Sequence, residues 1–291
     1  CHQSSKDNES AFLACKGIDP SIPDEDGMTA LHLACRGASF VAHTSADGGG
    51  GSSSIIAYQD IARSLIQRTR PEKLRRKLIE ARDKEGKTAL HEATTTEMAS
   101  ANKSMVHYVR TINVDVVLSL LEGGADVAAV DHEGDTPLHT VCRHSHSPRE
   151  SQYGDGAGPD LWTEHEYIVR LTLLALVSYY ADSPSNKRGA LQLYAVQNAM
   201  GNTPLMEAVI CLCSDIHRGR HHRGAVHLLL EKSRKARHQR HGGQSVGLKC
   251  VNTQGDNAFT IAASNSDLLT ACLIASGGGF KVDEETVKHI S

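Results

Sequence analysis

The stretch "DHEGDTPLHTVC", residues 131–142, decides how this chain is read. It sets glycine, threonine, proline, leucine and histidine in a fixed order. In isolation, His139 is a candidate catalytic base or metal ligand. Four other stretches carry the same order: "DEDGMTALHLAC" (24–35), "DKEGKTALHEAT" (83–94), "NAMGNTPLMEAV" (198–209) and "NTQGDNAFTIAA" (252–263). A recurring pattern of this kind marks an array whose units must stack to bury their apolar faces. Residue chemistry explains the order. Gly27, Gly86, Gly134, Gly201 and Gly255 sit in polar clusters, where a turn uses positive φ. Thr29, Thr88, Thr136 and Thr203 stand where a hydroxyl caps a helix. Pro137 and Pro204 fall at the first helical position, where a missing N–H costs nothing. Leu and Ala follow at helical spacing and form one apolar face.

These residues resemble the ankyrin repeat family, whose signature is a turn, Gly-x-Thr-Pro-Leu-His-x-Ala, and a second helix. "LLEGGADVAAVDHEGDTPLH" (120–139) is similar to that pattern nearly position for position, and "FLACKGIDPSIPDEDG" (12–27) parallels "LSLLEGGADVAAVDHEG" (118–134). The resemblance implies an all-α fold. The expected architecture is an ankyrin-repeat solenoid of helix-turn-helix units, with short β-turn fingers and long inserted loops. It places a single array over 1–291: a half-unit over 1–23, then units over 24–82, 83–130, 131–197, 198–251 and 252–291. The half-unit reads as a second helix whose first helix lies upstream, so the chain is expected to be part of a longer protein.

The units are oversized. The turn glycines lie 48–67 residues apart, whereas such a unit needs about 33 residues. Extra residues fall between the two helices of a unit (37–54, 95–104, 143–160, 214–224) or after the second helix (68–78, 182–192, 233–247). They are rich in Gly, Ser and charge, and are expected to be mobile loops. Second helices are expected over 55–67, 114–124, 166–180, 224–233 and 266–276.

Composition agrees with a helical core. Hydrophobic residues make up 40% of the chain, aromatics only 4%, and the net charge is −3. Eight cysteines without a CxxC pair point to a reducing compartment. An intracellular location, cytoplasmic or nuclear, follows as an expectation. "IVRLTLLALV" (168–177) is too short to span a bilayer, so no membrane insertion is expected.

Catalytic patterns such as GxSxG, HExxH or a phosphate-binding loop are missing, and no enzymatic activity is expected. Seventeen histidines raise a metal question. Cys213, His217 and His221 would share a face if their helix continued, and Cys142, His144 and His146 form a second cluster. Neither has the paired spacing of a zinc module, so no metal or other cofactor is expected. Cys35 and Cys142 share one repeat slot and read as buried small hydrophobes. His32, His91 and His139 recur at one repeat position, which argues for a repeated structural role. In the family that histidine hydrogen-bonds around the turn and ties neighbouring repeats. Met206 and Thr260 replace it in the last two units, where the tie should be weaker.

By resemblance, the function is protein–protein recognition as a scaffold or adaptor. Family pattern places the contact surface on the turn tips and the ends of the first helices. Carried onto this chain, the tips are Glu25, Asp26, Met28, Lys84, Glu85, Lys87, His132, Glu133, Asp135, Ala199, Met200, Asn202, Thr253, Gln254 and Asp256. The helix-end residues are Arg36, Thr95, Arg143 and His144. The partner is expected to be another protein and the chain a monomer. An alternative is a regulatory segment of a larger enzyme or transcription regulator. Its basic stretch 217–241, with six arginines and two lysines against one glutamate, would then contact nucleic acid or an acidic partner.

Overall fold

In the computed structural model the described residues are 19–38, 40–44, 51–95, 97–100, 106–110, 112–143, 160–182, 191–216, 223–238 and 247–278. The chain divides into two compact units, Cys1–Asp126 and Val127–Ser291.

In the first unit, α1 (Ala30–Ala38) packs on α2 (Gly51–Arg68) and on α4 (Ala89–Thr94). Helix α5 (Val114–Glu122) packs on both α2 and α4. Leu31, Leu65, Leu90, Leu120 and Leu121, carried by these helices, are fully buried. Each such leucine contributes about 1.5–3 kcal/mol of burial, so the stack is held by the apolar stripe the spacing predicted.

Two inserted segments depart from the expectation of loops. Strands β1 (Phe40–Thr44), β2 (Glu97–Ser100) and β3 (Val106–Arg110) form a small antiparallel sheet in the order β1-β3-β2. Phe40 and Glu97 both stand opposite Arg110. The Gly-Ser end of the 37–54 segment, expected as a mobile loop, also enters structure, since 51–54 form the first turn of α2. The segment expected as a loop at 68–78 holds α3 (Glu72–Ile79), which buries Leu78 and Ile79. Its helicity has a local cause, because Glu72 pairs with both Arg75 and Arg76 one turn on.

The second unit forms two rows of helices. First helices α6 (Pro137–Arg143), α9 (Pro204–Ile216) and α11 (Ala258–Ser264) pack side by side. Second helices α7 (Asp160–Asp182), α10 (Gly224–His238) and α12 (Leu268–Gly278) form the other row. A short helix, α8 (Leu191–Ala195), lies against α9 and α10 and fills part of the segment expected as a loop at 182–192. Helix α10 runs five residues beyond its expected end, into the segment 233–247. Leu138, Leu173, Leu176, Leu193 and Met206 are the largest fully buried side chains of its core.

Candidate functional site

Five fingers precede the first helices, and each is built from the same backbone hydrogen bonds. An Asp or Asn opens every finger: Asp24, Asp83, Asp131, Asn198 and Asn252. Its side-chain oxygen accepts the N–H groups two and four residues on, as when Asp24 Oδ1 accepts from Asp26 (2.9 Å) and Met28 (2.8 Å). The other four repeat this geometry at 2.8–3.1 Å. The five turn glycines all take positive φ, between 75° and 86°. Gly27 and Gly201 are needed for space as well. A Cβ on Gly27 would lie 2.9 Å from Lys84 N, and one on Gly201 2.9 Å from Thr253 N.

That close approach lets neighbouring fingers bond through their backbones. In the first unit Lys84 N–H donates to the Asp26 carbonyl at 3.0 Å. In the second, Ala199 N–H donates to Glu133 (2.7 Å) and Thr253 N–H to Met200 (3.0 Å). These rungs join the tips through the backbone, and at finger five the Thr253 hydroxyl adds a bond to the Met200 carbonyl at 3.1 Å.

His32 and His139 each couple a finger to its helix and to the next finger of the same unit. The Thr136 N–H and hydroxyl both lie on His139 Nδ1, at 3.1 and 2.8 Å, and His139 N–H reaches back to Thr136 Oγ1 at 3.4 Å. This is a capping box with histidine in the place usually held by Glu or Gln. Because Nδ1 accepts, Nε2 carries the proton and donates to the Asn202 carbonyl at 3.1 Å. His32 does the same with Thr29 and the Lys87 carbonyl. Burial lowers the pKa of both imidazoles, outweighing the partners that favour protonation.

Met206 and Thr260 keep half of that role. Met206 Sδ accepts the Thr203 N–H at 3.4 Å, and Thr260 Oγ1 accepts the Asn257 N–H at 2.8 Å. A thioether has no proton to donate onward, and the Thr260 hydroxyl is directed at Asp256 Oδ1 and the Asn257 carbonyl. The contrast with His139 is therefore one of chemistry rather than of backbone.

The predicted contact residues separate into two groups. Glu25, Asp26, Lys84, Glu85, His132, Glu133, Ala199, Met200, Thr253 and Gln254 are exposed. They occupy the two positions before the glycine in all five fingers. The position after the glycine is not a tip. Met28, Asp135 and Asn202 are buried, and Lys87 and Asp256 half-buried, because the N–H of that residue is drawn back onto the opening Asp or Asn. Among the helix-end residues, Arg36 is exposed. Thr95 is buried, with its hydroxyl donating to the His91 carbonyl at 2.8 Å, so it is corrected from contact residue to helix end. His144 lies outside the described residues, as do His146, His217 and His221.

Arg143 has a different task from the one expected. It contacts Asp135 (2.5 Å) and Glu207 (3.2 Å), and reaches the exposed Glu133 at 3.8 Å. Asn198 donates to both Asp135 and Glu207, and Asn202 donates to Glu207 at 3.0 Å. Burial alone would lower the guanidinium pKa, but Glu207 and Asp135 more than offset it and raise it. The network locks finger three to finger four from beneath, which is why Asp135 and Asn202 turn inward. Sequence reasoning missed Glu207, which aligns with a variable slot of the repeat and stands 64 residues from its cation.

Cys35 and Cys142 are buried, as their repeat slot implied. Burial pushes the Cys142 thiol well up and Cys213 to about 11, so neither is a ready thiolate. Of the basic stretch 217–241, Arg223 is committed internally, bonding to Asp267 and Thr270 at 2.9 Å. No helix among the described residues is long and apolar enough to cross a membrane.

Capped helix pairs behind glycine-turned fingers define a helical repeat fold. A family model for ankyrin repeats in many copies matches residues 113–149. The crystal structure of an ankyrin repeat domain from Acinetobacter baumannii AYE is 16% identical to this chain. It covers 94% of this chain and 95% of its own length, with a TM-score of 0.54. No curated protein matches. Residues 113–149 thus match ankyrin repeats, and the fold is similar to that of an ankyrin repeat domain; ankyrin repeats generally mediate protein–protein interaction.

Proposed function

We propose that this chain is a non-catalytic recognition module, a scaffold or adaptor, which holds another protein on its finger tips. The observation that carries this reading is the exposure of both pre-glycine positions in all five fingers, on backbones fixed by the opening Asp or Asn. A rigid support with variable exposed side chains loses little entropy on binding, which is what a recognition surface requires. Arg36 extends the same surface in the first unit.

The finger positions differ in character. Met200 is 59% exposed at the tip of finger four and offers an apolar anchor, whereas the first three fingers offer charge. Buried apolar anchors usually carry more binding energy than rim charges. The test is a photo-cross-linking side chain placed at position 200 or 133, with position 167 on α7 as control. A specific partner from a cell lysate should be captured from the fingers and not from α7. Equal labelling from all three positions would defeat the reading.

A further inference from the structure

We propose that α3 and the residues leading into it form a binding site for double-stranded nucleic acid, which they grip by its phosphate backbone without regard to sequence. Residues 68–82 hold seven cations against two carboxylates, in a chain whose net charge is −3. The equivalent connection from α5 to finger three, 123–130, carries neither Lys nor Arg. The charge therefore belongs to this insertion and not to the repeat. Local structure decides where it is shown. Thr69 turns inward, its hydroxyl donating to the Leu65 carbonyl at 2.6 Å, and Arg68 and Arg70 on either side of it are exposed. Leu78 and Ile79 fix the inner side of α3, which leaves Lys73, Arg76 and Lys77 exposed on its outer side.

The fold makes little use of these cations. Glu72 pairs with Arg75 and Arg76, and Lys77 has an exposed pairing with Asp19 at 3.7 Å. Arg68, Arg70 and Lys73 have no ion pair among the described residues. Lys73 and Lys77 stand one turn apart with like charge, an arrangement that weakens a helix, and a polyanion would relieve the repulsion. The kind of polyanion follows from the side chains present. Residues 67–82 include no exposed large apolar side chain, so the site has no wedge for a bilayer and no anchor for a protein interface. A phosphate backbone needs neither, since cation–phosphate contacts supply essentially all of sequence-independent binding. Arg68, Arg70 and Arg76 offer planar guanidinium forks that match phosphate oxygens. The stretch also contains no aromatic residue, so no ring is there to stack on unpaired bases, and a duplex fits better than a single strand.

The test is fluorescence anisotropy of a labelled DNA duplex of about twenty base pairs, titrated with the chain across a salt series. With about four phosphates contacted, the slope of log affinity against log salt should be about −3.6, a loss of roughly 150-fold between about 50 and 200 mM salt. Two duplexes of unrelated sequence should bind alike. Arg70→Gln/Lys73→Gln removes two contacts and should halve the slope, and Arg68→Gln/Lys77→Gln on the same patch should act alike. Lys232→Gln/Arg234→Gln makes the same charge change on α10 and should leave the slope as it is. Circular dichroism checks that each variant is folded. No binding at about 50 mM salt, or a slope that changes equally in the α3 and α10 variants, overturns the proposal. So does tighter binding of polyglutamate, of phosphatidylserine vesicles or of a single DNA strand than of the duplex, since an acidic protein, a membrane or unpaired bases would then be the better occupant.

Discussion

The fingers of the two compact units share one backbone and differ in what they show. In the first unit the exposed charges largely satisfy each other. Lys84 lies 3.9 Å from Asp26, and Lys87 lies 2.5 Å from Glu85. In the second unit the charge is drawn beneath the tips, where Arg143 holds Asp135 and Glu207. Fingers four and five then present Ala199, Met200, Thr253 and Gln254, which carry no charge. Surface pairs like those of the first unit contribute about 0–1 kcal/mol. The half-buried network of the second unit is more costly to break than to make. The repeat thus separates two duties. Glycine, the opening Asp or Asn, and the capping residue hold the finger, and the two positions between them are free to vary.

The largest effect is expected at the network. Arg143→Met should destabilise the second unit by about 3 kcal/mol, since two buried carboxylates lose their cation. Glu133→Ala, on the rim of the same cluster, should cost under about 0.5 kcal/mol. Denaturant unfolding of both variants measures the gap, and similar losses would dissolve the distinction between network and tip.

Glycine substitutions come next. Gly201→Ala should cost about 3 kcal/mol, combining strain at positive φ with a clash against finger five. Gly255→Ala should cost only about 1 kcal/mol, because nothing lies within 4 Å of the added Cβ. Equal costs would mean that the close approach of fingers matters little.

The histidine tie can be exchanged between repeats. His139→Met should lose about 1 kcal/mol, keeping the acceptor for Thr136 N–H and losing the donor to Asn202. Met206→His should gain about 0.5–1 kcal/mol if the Asp256 carbonyl accepts its Nε2–H as Asn202 accepts that of His139. Thermal melts of the two variants should therefore move in opposite directions. The pH dependence follows from the same geometry. His32 and His139 have folded pKa values below the usual 6.5, so their neutral form is the one the fold favours. Their contribution is intact above the unfolded value and is lost as pH falls below it toward the folded ones. Tm should drop between pH 7 and pH 5, and less so in the His139→Met variant.

Much of this was legible in the sequence. The turn glycines, the capping threonines, Pro137 and Pro204 at first helical positions, and the structural role of His139 are local features, read from residue type and order. The inward turn of Asp135 and Asn202 was not, because a polar residue beside a turn glycine looks like a tip until its partner is known. Arg143 and Glu207 are distant in sequence, and no periodicity announces the pair. The opening Asp or Asn did leave a signal, since it stands three residues before the glycine in all five copies. Helix α3 was hidden by its charge, although the spacing of Glu72 and Arg76 favours a helix. The small sheet escaped because its strands are short and β1 pairs with the distant β3, Phe40 standing opposite Arg110, although β2 and β3 are close in sequence.

The central claim is that the fixed positions hold the fingers while the free positions bind. It is tested most directly by measuring stability and partner affinity on the same variants. Glu25→Ala, Glu85→Ala and Glu133→Ala should each leave stability within about 0.5 kcal/mol of the parent and weaken the complex. His139→Met should lower Tm and leave the affinity of the folded molecule unchanged. Unchanged affinity in all three glutamate variants, with binding lost in His139→Met at temperatures where it remains folded, would contradict the account.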